Sequence, residues 1–86
     1  MEYELDGSLI HSLPELHRAL ASLLSFPAYY AQNFDALHDC LTDSSVTLRI
    51  THWDALEDAI GIPRCISFKR VLQDSAEESE FSFVIQ

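Results

Sequence analysis

Three short runs of strand character are each separated from the next by two stretches of helical character, and this alternation narrows the possible folds more than any other feature. Residues 2–6 (Glu2-Tyr3-Glu4-Leu5-Asp6) alternate acidic and apolar groups at a period of two. Val46 to Ile50 is β-rich, and Phe81 to Ile85 is an apolar run at the far end of the chain. Strands joined through helices pair in parallel, with right-handed crossovers. The expected fold is therefore α/β, a three-stranded parallel sheet packed with about four helices. At 86 residues the chain has room for one core, and a single domain over residues 1–86 is expected.

Local signals place the helices. Asp6-Gly7 reads as a turn. Ser12 followed by Glu15 forms a capping box, and Pro14 falls in the first turn, where it is tolerated. Leu13, Leu16, Leu20, Leu23 and Leu24 carry the apolar stripe of a first helix that runs to about Leu24. Pro27 ends it, Ala28 to Gln32 form a connection, and Asn33 is a natural N-cap for a second helix through about Leu41. Thr42 to Ser45 read as a loop. A short third helix is expected over Trp53 to Ile60, stopped by Gly61 and Pro63, and a fourth over Ile66 to Glu78.

The second helix has the most informative charge pattern. Asp35 and Asp39 are one turn apart, and Asp43 follows one turn later. At 100° per residue the three lie within about 80° of one another, while Phe34, Leu37 and Leu41 lie about 200–260° around from Asp35. The carboxylates therefore face outward. Folding alone does not favour this pattern: like charges at i, i+4 cost roughly 0.2–0.5 kcal/mol, and Asp43 meets the negative end of the helix dipole. No Lys or Arg lies between Arg18 and Arg49 to neutralise them. The adjacent Tyr29-Tyr30 just ahead of the helix offers rigid contact area with polar tips.

Composition excludes some functions. Fourteen Asp and Glu against five Lys and Arg give a formal charge of −9. That balance opposes direct binding to nucleic-acid phosphates or anionic membranes and favours a cationic protein partner. No apolar run approaches the ~18 residues of a membrane span. The N-terminus Met1-Glu2-Tyr3-Glu4 is acidic where an export signal would be basic, so a cytoplasmic location is expected. Cys40 falls within a predicted helix and Cys65 just before another, and two cysteines make neither a disulfide framework nor a zinc site. Both are expected to be reduced thiols.

The segment Phe26-Pro27-Ala28-Tyr29-Tyr30, followed by Asn33-Phe34-Asp35-Ala36-Leu37 and Asp39, resembles the barstar-like family, intracellular inhibitors of barnase-type ribonucleases. The likeness extends upstream through Asp6-Gly7, Ile10, Leu16-His17 and Leu20, and the order of elements agrees over essentially the whole chain. The resemblance implies that the second helix and its preceding loop plug a basic nuclease site, with no catalysis and no cofactor, and with a protein that is monomeric when free. It implies Asp39 as the central charge, Asp35 as a second acidic contact, Tyr29 against the catalytic-histidine side of the enzyme, and Asn33 as contact and cap. Tyr30 would then turn into the core. Thr42 would add a peripheral contact, and Asp74 an acidic contact from the last helix, as a shorter carboxylate where Glu is expected. His38 stands where the family has a tryptophan, and Ser44 replaces a second aromatic. Phe34, His38 and Asp43 complete the expected partner-binding set.

Other readings of the same residues are weaker. Four histidines and several aspartates could serve acid–base chemistry, but there is no Gly-rich loop or Gly-x-Ser-x-Gly motif, and the chain has only two glycines. Asp35, His38 and Asp39 have a spacing that can gather metal ligands, yet one helix rarely completes a coordination shell. The same acidic face could also serve a binding module for a basic protein that is not a nuclease.

Overall fold

The computed structural model describes residues 1–86. Strand β1 (Glu2–Asp6) leads through a 3-10 turn (Gly7–Leu9) to α1 (Leu13–Leu24) and α2 (Phe34–Thr42). Strand β2 (Thr47–Thr51), α3 (Trp53–Ile60), α4 (Ile62–Glu78) and β3 (Ser82–Ile85) follow. The three strands form a parallel sheet in the order β1-β2-β3, with Glu4 opposite Arg49 and Arg49 opposite Val84.

Because the strand order follows the chain order, two right-handed crossovers place every helix on the same face of the sheet. This explains why the strands alternate. Leu5, Leu48 and Ile50 are buried beneath the helices, and Glu2, Glu4, Thr47, Arg49 and Ser82 point to the open face. There Arg49 reaches Glu2 at 2.5 Å and Glu4 at 3.6 Å, and Thr47 shares a hydrogen bond with Ser82. A parallel sheet covered on both faces would need continuous apolar strands.

The fourteen buried apolar residues form one continuous cluster. Phe68 of α4 lies at its centre, stacked on Trp53 of α3 at 5.8 Å and on Phe34 of α2 at 6.3 Å between ring centroids. It thereby ties three helices together.

Several boundaries differ from those expected. Helix α4 begins at Ile62, so Pro63 sits in its first turn rather than ending α3, and Cys65 lies inside the helix. The first-turn amides have no partner within a helix, so a proline there costs nothing. Gly61, at φ 93°, makes the break between α3 and α4. Thr42 is the last residue of α2, and β2 is shifted one residue later than expected. Ser12 caps α1 by accepting from Glu15 N, but the Glu15 carboxylate pairs with His11. Asp6 accepts from Ser8 N and Ser8 Oγ and lies 2.9 Å from His52 Nδ1, fastening the 3-10 turn to the junction between β2 and α3.

Candidate partner-binding face

The face is built on a short loop and one helix. In the loop, Tyr30 N donates to Pro27 O, and the Tyr30 ring packs on Phe26 at 5.0 Å. Tyr30 Oη lies 2.6 Å from Nδ1 of His17, which is buried in α1 and also packs against Phe34. Burial without a compensating charge holds the His17 imidazole below its ordinary value and pushes the Tyr30 hydroxyl up to about 12. Both are thereby kept neutral, with Tyr30 turned inward. Tyr29 is 88% exposed.

Asn33 starts α2 in extended backbone geometry and accepts from Ala36 N at 2.7 Å. Leu37 and Leu41 are fully buried, which fixes the rotation of the helix and leaves Asp35, Asp39 and Asp43 exposed on the other side. No Lys or Arg pairs with any of the three. Their negative field reaches Cys40, whose thiol is pushed up by burial first and then by Asp43 and Asp39. Cys40 and Cys65 are both free thiols.

The remaining expected residues fall in different places. Phe34 is half-buried against His17 and Phe68, so it supports the face from beneath. Thr42 is half-buried and donates to Asp39 O, and Ser44 donates to Leu41 O, so both hydroxyls serve the end of the helix. Asp74 is exposed on α4, one turn ahead of Glu78. His38 is half-buried between two carboxylates: Nε2 lies 2.5 Å from Glu78 Oε2 and Nδ1 lies 3.8 Å from Asp39 Oδ1. Glu78 is the one acidic neighbour of this face that sequence reasoning missed. Its only signal is its place in the last turn of a predicted helix, because the register between α2 and α4 is not written in either segment.

Neither cavity of the molecule touches α2. The larger, about 450 Å³, lies between β1 and α1, lined by Leu5, Leu9, Ile10, Ala19 and Leu23 among others. The acidic face is an open helix surface, suited to a macromolecular partner rather than an enclosed small molecule. No group of three or more His, Cys, Asp or Glu side chains converges as a metal ion would need.

The model of the family described as "Barstar (barnase inhibitor)" matches residues 1–86. The chain belongs to the barstar family. A "Putative ribonuclease inhibitor YrdF" of Bacillus subtilis (strain 168) is 33% identical over 87 residues, covering 95% of this chain and 94% of that protein. The barstar-family match thus takes in the whole sheet and all four helices, with the acidic face included.

Proposed function

We propose that this barstar-family protein inhibits a basic, barnase-type ribonuclease by laying α2 and the loop before it over the enzyme's active site. The observation that carries this reading is the exposed, unneutralised row of Asp35, Asp39 and Asp43 on one side of α2, headed by the exposed Tyr29. A ribonuclease site is cationic because it stabilises charge on a phosphoryl group in the transition state. Carboxylates on a rigid helix compete for the same cations without offering a bond to cleave. Family membership and the ribonuclease-inhibitor relative support the reading.

In this proposal Asp39 is the central charge and Asp35 the second, with Asp43 extending the row and Asp74 contributing from α4. Tyr29 supplies apolar contact, and Asn33 holds the helix start while offering its amide to the partner. The protein acts as a monomer in the cytoplasm, binding a protein and neither RNA nor a membrane. No helix is long and apolar enough to cross a membrane.

One observation favours a second reading, in which the same face docks on a basic protein that is not a nuclease. His38 and Ser44 stand where the family resemblance leads one to expect aromatics, and both spend part of their polar capacity within the chain, on Glu78 and Leu41 O. The two readings separate in a titration of a barnase-type ribonuclease with this protein, following RNA cleavage at two salt concentrations. Stoichiometric loss of activity, weakened by salt, is the expected outcome. Full activity at a saturating excess would reject nuclease inhibition of this class and leave the docking reading.

A further inference from the structure

The contact between His38 and Glu78 joins α2 and α4, the two helices that carry the acidic residues. Glu78 occupies the last turn of α4, and its side chain remains 58% exposed. Its Oε2 meets Nε2 of His38, whose side chain is 32% exposed, and the opposite ring nitrogen faces Asp39, 86% exposed. A carboxylate can only accept, so in this contact Nε2 carries a hydrogen and donates it to Glu78. A charge-assisted hydrogen bond of this kind holds geometry better than an unpaired surface side chain does.

We infer that His38 is a positioning residue, a bracket that fixes Glu78 of α4 on the Asp39 flank of α2. Glu78 is then a specificity-determining contact for a cationic side chain of the partner, at a place where a tryptophan at position 38 would have offered apolar area instead. The consequence is an exchange of contact chemistry. The face gains a carboxylate held at the flank of Asp39 and gives up a ring, so it suits a partner that presents an extra Arg or Lys there rather than an apolar patch. This assignment rests on the inhibitor reading for its partner, whereas the bracket itself does not.

Two measurements test the inference separately. Long-range nitrogen–proton NMR of the imidazole, at a pH where titration shows His38 to be neutral, should give a single Nε2–H tautomer in the wild type. Glu78→Ala, which leaves no acceptor at that place, should shift it toward a mixture. An unchanged tautomer would overturn the bracket. In ribonuclease inhibition, Glu78→Gln and His38→Ala should each weaken the protein about fivefold, as for an exposed charge contact. The double variant should be no weaker than either alone, and His38→Gln, which keeps an N–H donor near the Nε2 position, should recover most of the loss. Multiplicative losses in the double variant would overturn the positioning role. A wild type that fails to inhibit any barnase-type ribonuclease would overturn the contact role of Glu78 together with the inhibitor reading, and the tautomer would still decide the bracket.

Discussion

Asp39 and Asp54 have the same side chain, each exposed on a helix, but only Asp39 belongs to the row on α2. If that row meets the partner, Asp39→Ala should weaken inhibition by about 30-fold or more, the range of a hot-spot truncation, and Asp54→Ala by less than about twofold. Comparable losses for the two, in the same cleavage assay, would reject the assignment of the face. His17 and Tyr30 make a different prediction, about stability and pH. The folded state refuses a proton that the unfolded histidine accepts at its ordinary value near 6.5, so the unfolded state binds more protons on acidification. Stability is fully present above about pH 6.5 and falls as pH drops below it, by up to about 1.4 kcal/mol per pH unit for one proton. At the other limit, Tyr30 keeps its proton to about 12, so the stability it contributes is present below its ordinary value of 10 and lost as pH rises from there. Tyr30→Phe should cost about 1–3 kcal/mol, because the buried His17 Nδ1 loses its partner. Urea unfolding across pH, wild type against His17→Gln and Tyr30→Phe, reads both effects. The Tyr29-Tyr30 pair was visible in sequence. That Tyr30 turns inward depends on a histidine thirteen residues away, which local patterning does not contain.

Among the elements, the 3-10 turn after β1 has the tightest steric requirement. A Cβ at Gly7 would sit 2.6 Å from His52 O and 2.9 Å from Thr51 O, both backbone atoms at the junction of β2 and α3. Gly7→Ala should therefore destabilise the protein by about 1–3 kcal/mol through overpacking, measured by thermal or urea unfolding. A neutral result would mean that the turn can move away from β2 at no cost. Sequence identified Asp6-Gly7 as a turn for its local propensity, and the stronger reason for the glycine is this long-range approach. Helix α2 shows the opposite case. Its cap, apolar stripe and acidic face all follow from residues 33–43 and were legible in them, since each depends on neighbours within one or two turns. Asn33→Ala should accordingly cost about 1 kcal/mol of stability, the usual value for a lost cap, in the same unfolding experiment. The start of α4 was misplaced because Pro63 acts as a stop in most contexts but not in a first helical turn, and the choice depends on how Gly61 bends the chain.

At the scale of the whole molecule, a formal charge of −9 surrounds the acidic face with a field of the same sign. If the partner is cationic, raising ionic strength from about 50 to 500 mM should slow association by about tenfold or more while changing dissociation much less, because screening acts on the long-range attraction and not on contacts already formed. Stopped-flow association with a barnase-type ribonuclease measures it, and a salt-independent rate would remove electrostatic steering from the mechanism. The same scale separates what the chain encodes locally from what it does not. The α/β class, the order of elements and the outward turn of Asp35, Asp39 and Asp43 are readable in the unfolded chain, because periodicity and capping are properties of contiguous residues. That all four helices share one face of the sheet, that Phe34 lies beneath the acidic face, and that Glu78 comes to rest on His38 emerge when the elements pack. Those outcomes depend on how α4 packs across α2, and helix packing is set by side-chain volumes meeting from distant segments rather than by a pattern within either one.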